Sequence, residues 1–417
     1  MNSQLSYHLA QARLLELHAT PSERRRARGR ARARSDGLTA LFAAMFAAQA
    51  GLLSLALVLT PAARELDVSV AAAGQLRTLG GLAGGAAAVA VALLGSRLQL
   101  RRTLITGHAL LAAGAISSAA APSLAVLAAG QAAVGAAAGL LIPGALAASA
   151  AWTEPGRRAR ALAITSLGQP MSWVAGMPLG GVLAELDWRY SLVGVPLSAS
   201  LVGVLALARV PRGSLSSSPG RPLRSLPAWA LPELISYAAW SGVLVFAGAL
   251  LVESYSVTPA VVGALLGMAA LGALPGNVLA RPWLARQARP LLVVLGTAAA
   301  VLTVLFGTVR PGAAASTAIM AALVLVASTR TVAGSALALQ SAGERRLSAM
   351  GVRAATGQFG YLVGAAVGGA ALAIGGYELL VIALGSLFVL GTIPHLTAIL
   401  SEIGSARGRS VPAVAGV

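Results

Sequence analysis

The sequence predicts an all-α polytopic membrane protein, with twelve transmembrane helices arranged as two six-helix bundles. Of its 417 residues, 57% are hydrophobic and only 11% are charged, whereas a soluble domain carries about 25% charged residues. Apolar runs of roughly 20 residues, the length that crosses a bilayer as a helix, recur twelve times. Arginines are abundant in every second connection between the runs and scarce in the connections between those. Together these observations exclude an ordinary soluble enzyme.

The apolar runs define the spans and their order along the chain. The boundary between the third and fourth spans depends on Pro122 and Ser123 alone. The predicted spans are 38–60, 71–94, 103–121, 124–149, 160–184, 190–208, 229–251, 258–280, 290–309, 313–337, 351–375 and 379–400.

The arginine distribution predicts the orientation in the membrane. Twelve spans place both termini on one side, and the opposite connections hold only Arg64, Arg189 and Arg310. Because arginine and lysine are enriched on the cytoplasmic side, both termini are predicted to be cytoplasmic, in the cytoplasmic membrane of a bacterium. The connections and helix ends on the side of the termini hold Arg97, Arg101, Arg102, Arg157, Arg158, Arg160, Arg209, Arg212, Arg221, Arg224, Arg281, Arg286, Arg289, Arg345, Arg346 and Arg353.

The chain divides into two halves joined by a linker. The predicted parts are an arginine-rich cytoplasmic tail (1–36), a six-helix bundle (37–209), a linker rich in Pro, Gly and Ser (210–228), a second six-helix bundle (229–401) and a cytoplasmic tail (402–417). The first tail is either a solvated segment that sets the membrane topology or a segment that binds anionic lipid electrostatically. Nucleic-acid binding is disfavoured, because no aromatic or globular context accompanies the arginines.

Composition also excludes several kinds of chemistry. The chain has no cysteine, so it has no disulfide, thiolate metal site or cysteine nucleophile. Its four histidines are far apart in sequence, and no Ser-His-Asp set or nucleotide-binding P-loop is present. We therefore expect no enzymatic activity, no metal and no cofactor.

Polar residues inside the spans are the candidate substrate-binding residues. Buried amides need hydrogen-bond partners, so each glutamine either joins two helices or contacts a substrate. Arg77 and Arg330 lie roughly 10 Å from an interface, at 1.5 Å per residue; they either snorkel to it or face a central cavity and attract an anionic or carbonyl-bearing substrate. The candidates are Gln49, Arg77, Gln131, Gln169, Trp173, Tyr237, Trp240, Arg330, Gln358 and Tyr361.

Energy coupling has two candidates. All thirteen acidic residues lie in tails, loops or helix ends, and Glu233 lies deepest, about one turn into the seventh span. Glu233 shares a helix face with Tyr237 and Trp240, which is either a wet stripe facing a cavity or an aromatic packing face. Simple interfacial placement is the alternative for Glu233. His108 is the second candidate, because histidine titrates near neutral pH.

Four short stretches of the chain stand out as motifs. They are 61–69 with 73–76, 95–102, 176–181 (Gly-Met-Pro-Leu-Gly-Gly) and 187–190 (Asp-Trp-Arg-Tyr). In this order they resemble the major facilitator superfamily, over about residues 37–401, and most nearly its drug:proton antiporter type and arabinose-efflux-permease-like members. Ser96 and Gln99 depart from the aspartate and glycine of the family's cytoplasmic loop signature, and Gln131 stands where many antiporters have an arginine.

The resemblance implies secondary transport of a small organic solute by alternating access, with efflux favoured by the stretch 176–181. The implied partners are the small-molecule substrate, protons as a candidate coupling ion and the lipid bilayer, and we expect a monomer. The alternatives are an uptake permease or facilitator and, in another class, a transport-dead membrane sensor.

The resemblance also assigns residues to gating and packing. The family's loop latches the cytoplasmic side closed, which implies a gate of Arg97, Arg101 and Arg102, with Glu154 as the candidate acid. Glycine allows close approach of helix backbones, and Gly176 and Gly180 are expected at the interface between the two halves. The candidate packing residues of the fifth span are Gly168, Gly176, Pro178, Gly180 and Gly181.

Overall fold

The computed structural model describes residues 21–94, 98–210, 226–279, 288–342 and 346–409, and in these ranges all long elements are α-helices. The gate residue Arg97, most of the linker and the ends of both tails lie outside the described residues. The helices are α1 (Pro21–Glu65), α2 (Val70–Gly74), α3 (Leu76–Leu94), α4 (Leu100–Ala119), α5 (Leu124–Ala151), α6 (Arg158–Ser166), α7 (Gly168–Met171), α8 (Met177–Leu186), α9 (Trp188–Arg209), α10 (Ala230–Tyr255), α11 (Pro259–Ala270), α12 (Ala273–Leu279), α13 (Ala288–Thr308), α14 (Ala313–Ala342) and α15 (Arg346–Arg409). A 3₁₀ turn (Pro155–Arg157) precedes α6, and a π-helical segment (Ser172–Gly176) separates α7 from α8.

Within the described residues, nine helical segments are long and apolar enough to cross a membrane, so the chain is a multi-pass membrane protein. They are Asp36–Glu65, Val70–Leu94, Leu124–Ser149, Trp188–Arg209, Ala230–Tyr255, Pro259–Gly276, Ala288–Thr308, Ala313–Ser341 and Gly351–Ile403. Each coincides with one predicted span, except the last, which covers two.

The segment Gly351–Ile403 breaks where the sequence predicts the loop between the eleventh and twelfth spans. Gly375 and Gly376 have non-helical backbone angles, and the φ of Gly376 is +66°. This left-handed conformation favours glycine, which has no Cβ to clash. Two predicted spans, α4 and the broken segment 158–186, are not among the nine. The count of twelve therefore stays a prediction that the helix order fits.

The first helix of each half lies at the centre of the molecule. Within the most apolar 18 residues of each segment, 89% of the residues are buried in Asp36–Glu65 and 78% in Ala230–Tyr255, against 39% in Trp188–Arg209. A single cluster of buried apolar side chains includes residues of both halves. On the outside, large apolar side chains such as Leu201 (58% exposed) form a surface suited to lipid.

Short polar side chains begin the helices that start at the predicted external end. Each side-chain oxygen accepts a backbone N–H of the first turn, which has no carbonyl partner within the helix. The capping residues are Ser69 before α2, Ser123 before α5, Asp187 before α9 and Thr258 before α11.

The Asp-Trp-Arg stretch that opens α9 binds the end of α1. Glu65 Oε2 accepts a hydrogen bond from Trp188 Nε1 at 2.5 Å, and Glu65 Oε1 forms an ion pair with Arg189 Nη1 at 2.7 Å. Arg189 also donates to the carbonyl of Ala121 at the end of α4. The stretch 187–190 therefore ties three helix ends together.

The arginine alternation makes a direct prediction about topology. Reporter fusions after residues 155, 215 and 285 are expected to report a cytoplasmic location, and fusions after 63, 187 and 311 an external one. Paired activity measurements with a cytoplasmic and a periplasmic reporter check this at each position. A reversed result at any of the six sites would contradict the twelve-span arrangement.

Candidate functional site

Nine of the ten predicted cavity residues lie in contact with one another, or one helical turn apart, where the two halves meet. We call this set the central layer. It consists of Gln49, Arg77, Gln131, Gln169, Trp173, Tyr237, Trp240, Gln358 and Tyr361.

Two indole rings join the halves directly. The rings of Trp173 and Trp240 stack with centroids 5.8 Å apart and planes inclined by 4°. Trp173 belongs to the first half and Trp240 to α10 of the second. Such stacks contribute about 0.5–1.5 kcal/mol beyond the buried area, so this contact stabilises the present arrangement of the halves.

Trp173 lies in a π-helical segment, Ser172–Gly176. Pro178 follows this segment and cannot donate a backbone hydrogen bond to the carbonyl of Val174, and Pro170 has the same effect on the carbonyl of Ser166, where α6 ends. The two prolines thus account for the interrupted fifth span. π-Helical turns often occur at functional sites, and this one positions the indole at the interface.

A pair of amides links α1 to α7 in the first half. Gln169 Nε2 donates to Gln49 Oε1 at 3.1 Å, and Gln49 is 5% exposed. For these two glutamines, joining two helices or contacting a substrate were the alternatives, and here they join two helices by a hydrogen bond. The pair still lies one turn from Trp173, at the edge of the central layer.

Arg77 is buried between the halves and does not snorkel. Its exposed fraction is 1%. Arg77 Nη1 lies 3.5 Å from Gln131 Oε1, and the guanidinium carbon lies 4.9 Å from the centre of the Tyr361 ring on the other half. Gln131 in turn donates to Ser118 Oγ at 3.1 Å. Arg77 therefore belongs to the interface.

Tyr237 is half-buried and packs against α15. A Cβ on Gly360 would lie 2.9 Å from the ring of Tyr237, and one on Gly357 would lie 3.5 Å from it. The Tyr237 ring meets that of Tyr361 edge to face, with centroids 6.2 Å apart. For Tyr237, the aromatic packing alternative therefore describes the structure.

Glu233 forms a buried ion cluster with two arginines, which we call the Glu233 cluster. Arg353 Nη1 lies 3.1 Å from Glu233 Oε1, and Arg330 Nη1 lies 3.5 Å from Oε2. Ser236 accepts from Arg330 and Ser335 accepts from Arg353, both at 2.6 Å. The three charged side chains are at most 8% exposed. Glu233 is therefore buried within the protein, and the cluster joins α10, α14 and α15. Its depth in the membrane, interfacial or deeper, stays a prediction.

The Glu233 cluster also corrects the expectation for Arg330. This arginine contacts Glu233 and Ser236, not the central layer. Sequence analysis missed Arg353, because it was counted among the arginines that mark the cytoplasmic side. One signal was available: Glu233 and Arg353 both lie near the same predicted end of their spans, and a buried carboxylate needs a cation.

His108, the second coupling candidate, packs inside the first half. A Cβ on Gly203 of α9 would lie 2.4 Å from His108 Nε2, so the ring packs between α4 and α9 inside the first half. His108 is 1% exposed. Its position does not support a coupling role. In the described part of the chain, no group of three or more His, Asp and Glu side chains could hold a metal.

Among the described gate residues, the contact of Arg101 is defined. Arg101 Nη2 donates to the carbonyl of Leu207 at 3.1 Å, at the end of α9, where cations are favourable. Arg102 and Glu154 are exposed, and Arg97 lies outside the described residues. The gate therefore stays a prediction.

The fifth-span glycines differ in what they face. A Cβ on Gly181 would lie 2.6 Å from the carbonyl oxygen of Pro259 in the second half. Gly168 approaches the carbonyl of Phe42, and Gly180 approaches Leu57, both in the first half. The expectation that Gly176 and Gly180 lie between the halves is wrong. Of the five candidate packing residues, Gly181 and Pro178 contact the second half, and Pro178 packs against Gly267.

Polar contacts hold the halves together at the predicted external end. Glu185 Oε1 accepts the backbone N–H of Ala260 at 3.0 Å, at the start of α11. Hydrogen bonds from the Thr258 side chain and from this N–H lower the pKa of the Glu185 carboxyl below its usual value. On the other side of the interface, Gln75 Nε2 donates to the carbonyl of Ala365 at 3.2 Å.

Comparison with known proteins places this architecture among membrane transporters. Residues 39–231 match the family model described as Major Facilitator Superfamily. Among curated proteins, none matches the chain.

Several solved transporter structures share the fold over most of the chain. A bacterial homologue of the human lysosomal transporter Spinster, inward-facing and unoccupied, is 16% identical with a TM-score of 0.64, over 88% of this chain and 94% of that one. The nucleoside transporter NupG, in a mutant form, is 11% identical with a TM-score of 0.65, over 87% and 98%. A POT family transporter in complex with 5-aminolevulinic acid is 14% identical with a TM-score of 0.68, over 87% and 95%.

Proposed function

We propose that this chain is a secondary transporter of the major facilitator type, which exports a small organic solute by alternating access. The family match of residues 39–231 and the shared fold support a transporter of this type. The substrate site that we propose lies between the two halves, because transporters built from two bundles bind their substrate there, near mid-membrane.

The observation that carries the proposal is the central layer itself. Stacked indoles from opposite halves, with a buried arginine and several amides around them, form an interface unlike the apolar core of either half. An aromatic lining with a few placed polar groups is typical of small-molecule sites. Because Trp173 and Trp240 belong to different halves, relative movement of the halves would open and close this site.

The direction of transport rests on resemblance. The stretch 176–181 resembles the fifth-helix antiporter motif, which favours export over uptake. We place the protein in the cytoplasmic membrane of a bacterium as a monomer, with both termini in the cytoplasm and the arginines of 95–102 at the cytoplasmic gate.

Transport of a compound library into inverted membrane vesicles tests the proposal. An exporter is expected to accumulate at least one compound inside the inverted vesicles, and a proton antiporter only while a pH gradient is present. Right-side-out vesicles are the matched control, since an uptake permease would accumulate compound there instead. Equal fluxes in vesicles with and without the protein, across the library, would refute transport.

Trp240→Ala is expected to weaken apparent substrate affinity by about tenfold or more. The indole contributes stacking energy and buried area at the interface, and about 1.4 kcal/mol corresponds to a factor of ten. Leu201→Ala, on the outer surface of α9, is the matched control and is expected to leave affinity unchanged. Concentration-dependent transport in vesicles measures both. An unchanged affinity in Trp240→Ala would place the site elsewhere.

A further inference from the structure

The spanning helices carry an excess of buried positive charge. In the described part of the chain, the charged side chains below 9% exposure are Arg77, Arg330, Arg353 and Glu233, with a net charge of +2. Glu233 is already bound to Arg330 and Arg353. Among the described residues, no buried carboxylate is left to pair with Arg77.

Arg77 is only partly satisfied by the protein. A guanidinium has five N–H donors and no acceptor. Its described contacts are a long one to Gln131 Oε1 and the face of the Tyr361 ring, while Nε and Nη2 are buried with no hydrogen-bond partner among the described residues. A buried charge without a counter-ion is strongly unfavourable, and nearby amides and rings compensate only part of it.

A second unsatisfied group lies near the same face of α3. Gln358 Oε1 is buried without a hydrogen-bond partner among the described residues. A Cβ on Gly84 would lie 2.7 Å from this oxygen, and a Cβ on Gly80 would lie 3.5 Å from Arg77 Nη1. Gly80 and Gly84 are one turn apart on the same face of α3, where residues are about 5–6 Å apart. The free donors of Arg77 on α3 and the free acceptor of Gln358 on α15 therefore lie near the same glycine face of α3, which also packs against the backbone of α5 at Gln131 and Gly135.

We propose that Arg77 binds the anionic group of the transported solute, a carboxylate or phosphate, and that Gln358 accepts a hydrogen bond from a neutral N–H or O–H on the same molecule. The solute is thus an organic anion that also carries a hydrogen-bond donor. Arg77 belongs to the first half, and Tyr361 and Gln358 belong to the second, so the bound anion contacts both halves. An organic cation finds no free buried carboxylate among the described residues. The inference rests on the transport function proposed above.

Ligand-induced stabilisation of the purified full chain tests the proposal without transport. In nanodiscs of neutral phosphatidylcholine, which excludes an anionic lipid headgroup as the ligand, the probes are a set of carboxylates and phosphate monoesters. Each probe is paired with its uncharged amide or alcohol. At least one anion is expected to raise the unfolding temperature by several degrees and to quench tryptophan fluorescence, with no effect from its uncharged counterpart.

Variants of Arg77 decide whether this residue is responsible. Arg77→Gln is expected to lose the anion effect, and Arg77→Lys to keep part of it. Arg289→Gln, an exposed arginine paired with Glu402, is the control and is expected to behave as the wild type. Without ligand, Arg77→Gln is expected to unfold at or above the wild-type temperature, because it removes an unpaired buried charge.

Three results of the stability measurements would overturn the assignment. They are the absence of stabilisation by every anion, equal stabilisation of wild type and Arg77→Gln, and an unliganded Arg77→Gln that unfolds several degrees below wild type. Transport of uncharged compounds with no dependence on Arg77 would also overturn it while leaving the transport function intact. Failure of every compound to cross the membrane would instead refute the transport function.

Discussion

Glu233→Gln is expected to destabilise the purified protein by about 3–5 kcal/mol, the usual effect of removing one partner of a buried ion pair. The change leaves Arg330 and Arg353 without their shared counter-ion, although both are at most 8% exposed. Glutamine has nearly the same size as glutamate, so lost packing contributes little. The measurement is the unfolding temperature and the yield of monodisperse protein in detergent.

Charge balance predicts a rescue. The triple variant Glu233→Gln, Arg330→Gln and Arg353→Gln has no net buried charge in the Glu233 cluster and is expected to recover much of the lost stability. Glu378→Gln removes an exposed carboxylate at the opposite, predicted external end and is the matched control, with an expected effect near zero. If Glu233→Gln is as stable as the wild type, the cluster does not hold α10, α14 and α15 together.

The same variant separates a structural role from proton coupling. If Glu233 is the coupling acid, Glu233→Gln is expected to abolish accumulation driven by a pH gradient while substrate binding and downhill exchange persist. The geometry of the cluster predicts that stability falls as well. A triple variant that is stable and keeps full gradient-driven accumulation would exclude Glu233 from coupling. His108 packs between α4 and α9, inside the first half, and has no described contact with the Glu233 cluster.

The fold was largely predictable from the sequence, because a membrane span is recorded in local composition. The predicted break between the eleventh and twelfth spans coincides with Gly375 and Gly376. The interruption of the fifth span was not predicted, although Pro170 and Pro178 account for it through missing backbone donors. Hydropathy reports how apolar a segment is and carries no information about its backbone hydrogen bonds.

The contacts of individual side chains were less predictable, because depth in the membrane can be read from sequence and direction around the helix cannot. Arg77 and Arg330 have similar predicted depths, yet Arg77 faces the other half and Arg330 faces Glu233. Successive residues of a helix are rotated by about 100°, at 3.6 residues per turn. A resemblance over 176–181 therefore could not tell that Gly181, rather than Gly180, faces the second half.

Gly181→Ala is expected to abolish most transport by forcing the two halves apart at the predicted external end. The new Cβ would lie 2.6 Å from the carbonyl oxygen of Pro259 and 3.0 Å from the Cα of Ala260. Both are backbone atoms, so no rotamer change relieves the contact and α8 must move away from α11. Overpacking of this kind destabilises a structure by about 1–3 kcal/mol. Here it destabilises the conformation that is closed at the external end.

A conformational readout makes the prediction specific, because the chain has no cysteine and a single introduced thiol can be followed without background. Val262, on α11, is fully buried and packs near Gly248 at the interface of the halves. In the Val262→Cys background, Gly181→Ala is expected to increase labelling by an external, membrane-impermeant thiol reagent about tenfold, the shift that 1.4 kcal/mol produces.

Gly176→Ala is the matched control, because its Cβ would lie 3.6 Å from the nearest atoms, an ordinary contact within the first half. It is expected to label and transport like the parent. If Gly181→Ala also behaves like the parent, close approach of α8 and α11 is not required for the closed external end, and the transport cycle must close that end through the contacts of α3 with α15 instead.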